Sequence, residues 1–217
     1  MSTELLVRTA HGEGRLVTDR APSPWATVLL GHGAGGGIDA PDLVALARAL
    51  PRQGVSVVRF EQPWRRAGRR VATAPPTLDE ALMTAYDRLR VRTPLVVGGR
   101  SAGARSAARM ARRMGATGCL CLSFPLHPPA RPEKSRADEL RGIGLPTLLV
   151  QGERDPMGRP EELPVDLPGV DLVVVPDGDH SLAVHKTGPI SEQQAMALVV
   201  ESTLEWLERR IVGPARS

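Results

Sequence analysis

The sequence predicts a three-layer α/β fold, in which a mostly parallel eight-stranded sheet is covered by helices on both faces. Two observations support this prediction. Short apolar runs alternate with helical patterns along the 217 residues, as expected where strands and crossover helices follow one another. The later apolar runs are nearly continuous rather than alternating, which is typical of parallel strands buried on both faces.

The predicted elements follow in chain order. The strands are Leu5–Arg8 and Gly14–Val17 as an antiparallel pair, then Thr27–Leu30, Val55–Phe60, Leu95–Gly98, Gly118–Ser123, Thr147–Gln151 and Asp171–Val175. The helices are Pro41–Arg52, Leu78–Arg90, Ser101–Met114 and Ser191–Arg210. Pro41 at a first helical turn and Ser191 before Glu192 are favourable residues for helix starts.

Length and composition predict one domain over residues 1–217. The chain is long enough to bury a full core, and it contains no Ser/Gly-rich linker, charge block or repeat. We find no apolar segment of signal-peptide or membrane-span length, and we therefore expect a cytoplasmic protein that does not enter a membrane. Cys119 and Cys121 share one face of a predicted strand and are interpreted as buried small side chains.

The pentapeptide Gly99-Arg100-Ser101-Ala102-Gly103 lies between a predicted strand and a predicted helix. This order, strand, G-x-S-x-G and helix, is the sequence form of a nucleophile elbow, a sharp turn that presents its serine above the sheet. The positions two before and two after the serine must be nearly free of side chains. Ser101 is therefore the candidate nucleophile, and the Ala102 amide is a candidate oxyanion donor.

An acid and a histidine follow Ser101 in the order that such a site requires. Asp155 lies in the loop after the strand Thr147–Gln151, and His180 lies in the loop after the last strand. Asp155 is expected to hold the imidazole in the tautomer that accepts the serine proton. His185 is a weaker candidate for the base.

The glycine-rich segment 31–37 follows the third predicted strand. It occupies the position of a His-Gly-x loop that supplies a second oxyanion amide, for which Ala34 is the first choice and Gly33 the alternative. The segment also satisfies G-x-G-x-x-G, with Glu61 as a possible ribose-binding acid. The dinucleotide interpretation is the weaker one, because it gives no reason for the presence of Ser101, Asp155 and His180 in this order.

These motifs together resemble the α/β-hydrolase superfamily, and within it a small lidless branch near dienelactone hydrolase. The resemblance covers nearly the whole chain, on the segments His11–Gly14, Gly31–Gly36, Gly99–Gly103, Ser123–Pro129, Gln151–Pro156 and Gly178–Leu182. Dienelactone hydrolase has a cysteine nucleophile, whereas this chain has Ser101. The resemblance therefore does not imply that this chain has dienelactone hydrolase activity. A related domain in subunits of animal chromatin-modifying complexes keeps a non-catalytic role open.

The expected function is hydrolysis of a carboxylic ester or related acyl bond by a Ser101–His180–Asp155 triad through an acyl-enzyme. The expected partner is a small-molecule acyl substrate, with no cofactor and no metal. The alternative is a catalytically silent interaction module of the same fold. The oligomeric state does not follow from the sequence.

Arginines give the chain a formal net charge of +4. The surplus is small and only six residues are aromatic, so we do not expect nucleic-acid binding. Arg105 and Arg109 are interpreted as part of a solvated helix face. The basic segment Trp64–Arg70 follows a strand at the predicted ligand-binding edge, where Arg65 is a candidate substrate contact that would favour acidic esters.

Two further substrate contacts are predicted, at His32 in the glycine-rich segment and at Arg100 beside the nucleophile. The connections 124–146 and 155–171 are short and rich in proline, with room only for a brief helical segment around Ser135–Arg141. The sequence therefore predicts an open site with no lid domain.

Overall fold

The computed structural model describes residues 2–212, and eight strands form one sheet in that range. The strands are β1 Ser2–Thr9, β2 Gly12–Asp19, β3 Ala26–Gly31, β4 Val55–Glu61, β5 Leu95–Arg100, β6 Gly118–Leu122, β7 Thr147–Gly152 and β8 Val170–Val175. Their order across the sheet is β1-β2-β4-β3-β5-β6-β7-β8. The pairs β1–β2 and β2–β4 are antiparallel, and the other neighbours are parallel.

Within the described range, six α-helices connect or flank the strands. They are α1 Pro41–Ala49, α2 Pro63–Arg66, α3 Pro75–Arg88, α4 Ala102–Met110, α5 Ala137–Arg141 and α6 Glu192–Leu207. Short 3-10 turns cover Leu50–Gln53, Pro132–Lys134 and Pro160–Glu162, and a π-helical turn covers Glu208–Val212. None of the helices within residues 2–212 combines the length and the apolar character needed to cross a membrane.

The sheet separates two apolar cores. On one face, Leu29, Val97, Cys121 and Leu149 pack with residues of α3, α4 and α5; on the other, Val28, Val96, Leu120 and Val150 pack with α1 and α6. Neighbouring residues of each strand alternate between these cores because successive side chains of a strand point to opposite faces. The predicted three-layer α/β fold is confirmed.

Some predicted boundaries were wrong. The first two strands are each eight residues long, so the amino-terminal hairpin extends further than predicted. Helix α4 ends at Met110 rather than Met114, because the chain turns towards Gly115, which has a φ of 62°. Residues 63–66, for which no helix was predicted, form α2.

The prediction that Arg105 and Arg109 lie on a solvated helix face was also wrong. Both side chains are about four-fifths buried. Arg105 Nε donates to Glu139 Oε2 at 2.8 Å, and Arg109 Nε donates to Asp79 Oδ2 at 2.7 Å. Helices α3 and α5 pack against α4 and supply these carboxylates. The helical periodicity of α4 alone cannot predict partners that lie on other helices.

Three glycines bring β3, β5 and α4 into direct backbone contact. A Cβ atom at Gly99 or at Gly103 would collide with the carbonyl oxygen of Gly31. A Cβ at Gly31 would itself lie 3.2 Å from the Gly103 Cα. The start of α4 therefore lies directly on the end of β3.

The two connections that could carry a lid are short. Residues 124–146 contain only a 3-10 turn and the five-residue helix α5, and residues 153–169 contain only one 3-10 turn. The brief helix predicted around Ser135–Arg141 is present as α5. Neither connection contains a helical insertion of lid size.

We predict that Gly103→Ala lowers the free energy of unfolding by about 3 kcal/mol, because backbone atoms of β3 and α4 must separate to admit the methyl group. Gly36→Ala is the matched control, since a Cβ there meets nothing within 4 Å. Urea unfolding of both variants measures the difference. Equal stability of the two variants would contradict the close contact of β3 with α4.

Candidate active site

Ser101 lies at the turn between β5 and α4. Its φ of 52° and ψ of −112° place a non-glycine residue in a rarely populated region of backbone space. The Ser101 amide donates to the Leu122 carbonyl at 3.0 Å, which ties the turn to β6. Although Ser101 is the N-cap residue of α4, its side chain makes no capping hydrogen bond. The hydroxyl is therefore free for another partner.

That partner is His180, in the loop after β8. The Ser101 hydroxyl lies 2.9 Å from His180 Nε2, and His180 Nδ1 lies 2.7 Å from Asp155 Oδ2. Asp155 is fully buried, whereas a quarter of the His180 side chain is exposed. The structure thus brings the three predicted residues into one continuous chain of hydrogen bonds, with the serine end open to solvent.

Asp155 has two further donors. The Met157 amide donates to its Oδ1 at 2.8 Å, and Gln151 Nε2 donates to its Oδ2 at 2.9 Å. Three hydrogen bonds to one buried carboxylate fix its orientation towards His180.

Gln151 is a positioning residue that the sequence analysis missed. Its amide group is fully buried, donates to the Gly158 carbonyl at 2.7 Å and accepts from the Phe124 amide at 2.9 Å. It therefore links the ends of β6 and β7 to Asp155. The sequence does contain one sign of this role, because Gln151 is a polar residue at the end of an otherwise apolar strand. A buried amide without hydrogen-bond partners would be destabilising there, so its presence indicates that it has partners.

The structure places the predicted oxyanion donors as follows. Ala102 is the first residue of α4, so its amide has no acceptor within the helix. The Gly33 Cα packs against the Ser101 side chain, where an added Cβ would lie 3.4 Å from the Ser101 Cβ. Ala34 is exposed in the turn that follows, which the Gly36 amide closes onto the Gly33 carbonyl at 3.5 Å.

The His32 ring is hydrogen-bonded at both nitrogens and supports segment 31–37. Its Nδ1 lies 2.8 Å from the Gly33 carbonyl, and its Nε2 accepts the Gln62 amide at 3.1 Å. Burial lowers the pKa of His32, which keeps the ring neutral and able to accept at Nε2. Both ring nitrogens are occupied, so the geometry leaves His32 no free nitrogen for the substrate contact predicted from the sequence.

Arg100 connects α1 to the loop that carries His180. Its guanidinium group donates to the His180 carbonyl at 3.3 Å and lies 3.5 Å from Asp42 Oδ1. Burial raises the pKa of Asp42, against the opposing effect of Arg100. This arrangement gives Arg100 a supporting role towards His180, and only 12% of its side chain remains exposed for a substrate.

The arginines of segment 65–70 differ in their surroundings. Arg66 pairs with Glu13 at 2.8 Å in the β1–β2 hairpin. The half-buried Arg65 has its Nε 3.5 Å from the position that a Cβ on Gly37 would take. Arg69 and Arg70 are exposed and form no ion pair within residues 2–212.

Two neighbouring carboxylates and the weaker base candidate His185 lie apart from this chain of hydrogen bonds. Asp177 pairs with His185 at 2.9 Å and with Arg154 at 2.7 Å. Asp179 Oδ1 accepts from the Ser181 amide, within its own turn. These contacts leave Asp155 as the carboxylate that contacts His180 Nδ1.

The dinucleotide interpretation of segment 31–37 has no support in the structure. Helix α1 begins at Pro41, four residues after the last glycine of the segment, so the glycines do not open a helix. Glu61 accepts from Arg15 Nε at 3.0 Å and faces the antiparallel strand β2. In the part of the chain that is described, no group of three or more His, Cys, Asp or Glu side chains could hold a metal ion.

Comparison with known proteins identifies the family to which the chain belongs. A family model described as an alpha/beta hydrolase domain matches residues 24–208. The chain therefore belongs to the α/β-hydrolase family, as its sequence motifs predicted.

Three solved structures illustrate the shared fold. A serine hydrolase without a lid from Xanthomonas campestris is 20% identical, with a TM-score of 0.74 over 100% of this chain and 97% of that one. Dienelactone hydrolase from Anabaena variabilis is 18% identical, with a TM-score of 0.71 over 97% and 98%. Est1E from Butyrivibrio proteoclasticus is 17% identical, with a TM-score of 0.71 over 95% and 99%. At these identities the likeness establishes the fold.

Proposed function

We propose that this protein is a serine hydrolase that cleaves a carboxylic ester or a related acyl bond of a small molecule. The observation that carries the proposal is the hydrogen-bonded chain from Ser101 Oγ through His180 to Asp155. Membership of the α/β-hydrolase family supports the same reaction class. A serine in a strained turn, beside a histidine held by a buried carboxylate, is the arrangement that activates a hydroxyl nucleophile.

The proposed reaction has two halves. His180 Nε2 takes the proton from Ser101 Oγ as the oxygen attacks the carbonyl carbon, and Asp155 stabilises the imidazolium that forms. The tetrahedral intermediate then expels the alcohol, which receives the proton from His180. His180 then takes a proton from water as the water oxygen attacks the acyl carbon, and it returns this proton to Ser101 Oγ as the bond to Ser101 breaks and the acid leaves.

The negative oxygen of each tetrahedral intermediate needs two donors. The free Ala102 amide at the start of α4 is the first, and it benefits from the positive end of the helix dipole. The amide of Ala34 or Gly33 in segment 31–37 is the second. All of these steps use side chains, backbone amides and water, so the proposed mechanism requires no cofactor.

We predict that a fluorophosphonate probe forms one adduct per chain, because Ser101 Oγ displaces its fluoride. Intact-mass spectrometry measures this adduct, which should be absent in Ser101→Ala and in His180→Ala. Ser181→Ala is the matched control, since it removes a neighbouring exposed hydroxyl and should react fully. Absence of an adduct on folded wild-type protein would contradict the proposal and favour the catalytically silent module.

The open surroundings of Ser101 bear on the substrate. The connections 124–146 and 153–169 carry no lid, and the His180 side chain is partly exposed. A site of this kind offers a long acyl chain little apolar surface to bury, so chain length adds little binding energy. We therefore propose that the substrates carry small, water-soluble acyl groups.

We predict that p-nitrophenyl acetate and butyrate are turned over faster than the long-chain esters of the same series, with no jump in rate where the longer esters form micelles. Release of p-nitrophenol, followed across that concentration, is the measurement. Fastest turnover of the longest ester, or a rate jump at micelle formation, would contradict the open site.

A further inference from the structure

Strand β1 forms one edge of the sheet and is open along most of its length. It pairs only with β2, in an unbroken antiparallel register along all eight of its residues. Residues 2–6 are exposed, whereas Val7 is buried in the core that includes residues of α3. Helix α3 reaches the far end of the hairpin, where Glu80 lies 2.6 Å from His11 Nε2. The first half of β1 therefore remains uncovered.

The sequence of β1 is unusual for an exposed edge strand. Leu5 and Leu6 are each about half exposed, and they point to opposite faces of the sheet because successive side chains of a strand alternate. The strand, all of whose residues are described, contains no proline, lysine or bulge, which are features that keep an edge from pairing with another chain. A long regular edge with two exposed leucines at its centre favours pairing with another strand.

Charged side chains on one face of the sheet alternate in sign up to this edge. Arg15 of β2 lies 3.0 Å from Glu61 of β4 and 3.1 Å from Glu4 of β1. The Glu4 side chain is 56% exposed, so it can accept from a second cation. Arg8 lies on the same face of β1 as Glu4, is exposed, and forms no ion pair within residues 2–212. The edge thus presents an accessible acid and an unpaired base on one strand.

These charges make β1 complementary to a second copy of itself. When two identical strands pair antiparallel about a twofold axis, opposing residues must lie on the same face of the sheet, so the axis passes through a residue. With the axis at Leu6, Glu4 of each copy faces Arg8 of the other. Moving the axis by one residue in either direction would instead place a charged residue opposite Leu6. One register therefore satisfies the charges of both copies.

The other pairs of this register are also favourable. Leu6 faces Leu6 across the axis, and Thr3 faces Thr9, so an apolar pair and two threonine pairs form between the copies. Leu5 faces Val7 of the second copy, on the side of the sheet where Val7 already belongs to the core. Pairing would therefore remove the exposed surface of both leucines from water.

We propose that β1 is a dimerisation surface, on which two copies of this chain pair β1 with β1 about a twofold axis at Leu6 and so form one continuous sheet. The row of alternating charges then runs from Arg8 of the second copy through Glu4 and Arg15 to Glu61. Because the same strand serves both copies, each β1 edge is covered by the other and assembly stops at the dimer. This inference does not depend on the proposed hydrolase function.

The first test measures the mass of the protein in solution by sedimentation equilibrium. We expect the wild-type protein to be a dimer and Leu6→Lys to be a monomer, because two lysines would face each other at the axis. Val174→Lys is the matched control and should remain a dimer, since Val174 is 37% exposed on β8 at the opposite edge of the sheet. A monomeric wild-type protein would overturn the proposal and leave β1 to a strand of a different protein. Dissociation of Val174→Lys in place of Leu6→Lys would overturn it in favour of β8.

The second test reports the register and does not require Leu6→Lys to fold. Leu6→Cys places two thiols opposite each other at the axis, where Cβ atoms of facing residues are about 5 Å apart and a disulfide can form. Thr3→Cys is the control, because this exposed position lies about 20 Å from its equivalent in the second copy. Cys119 and Cys121 are buried and do not compete.

After mild oxidation, we expect a disulfide-linked dimer of Leu6→Cys on a non-reducing gel and none of Thr3→Cys. Absence of the linked dimer in Leu6→Cys, or equal cross-linking of the two variants, would overturn the proposed pairing.

Discussion

The backbone contact of Gly31 with Gly99 and Gly103 is the constraint on which the site depends. Because no side chain separates these residues, α4 begins directly on the end of β3, and the chain must reverse within one residue. That residue is Ser101, which adopts a φ of 52° as a consequence. The same contact places the Gly33 segment, which continues from β3, against the Ser101 side chain. Ser101, the Ala102 amide and the Gly33 segment thus take their relative positions from one packing arrangement.

The rest of the site is assembled by parallel strands that end at one edge. Strands β7 and β8 are paired up to Gly152 and Val175, so the loops that carry Asp155 and His180 leave the sheet side by side. A side chain on Gly152 would collide with the carbonyls of Gly178 and Asp179, which shows how closely the two loops pack. Gln151 then fixes Asp155, and Arg100 holds the His180 carbonyl. Residues far apart in the chain therefore reach hydrogen-bond distance of one another.

The sequence was sufficient for the fold class and for the three residues that the structure brings together, because both depend on chain order and local pattern. Apolar runs locate parallel strands, and the order Ser101, Asp155, His180 is readable along the chain. It was insufficient for contacts between distant elements. Arg105 was assigned to solvent because Glu139 lies on another helix, and Gln151 was assigned to a strand without a role because its partners lie on other loops. Asp42 carries no sequence signal of its contact with Arg100, because the two residues lie on different elements.

In the proposed mechanism, the turn between β5 and α4 directs Ser101 Oγ and the Ala102 amide at the same carbonyl group. A crystal structure of the fluorophosphonate-treated protein tests it most directly, because the phosphonyl group on a serine mimics the tetrahedral intermediate. We expect phosphorus bonded to Ser101 Oγ, with one phosphonyl oxygen within hydrogen-bond distance of the Ala102 amide and of the Ala34 or Gly33 amide. An adduct on another residue, or a phosphonyl oxygen directed away from the start of α4, would contradict it.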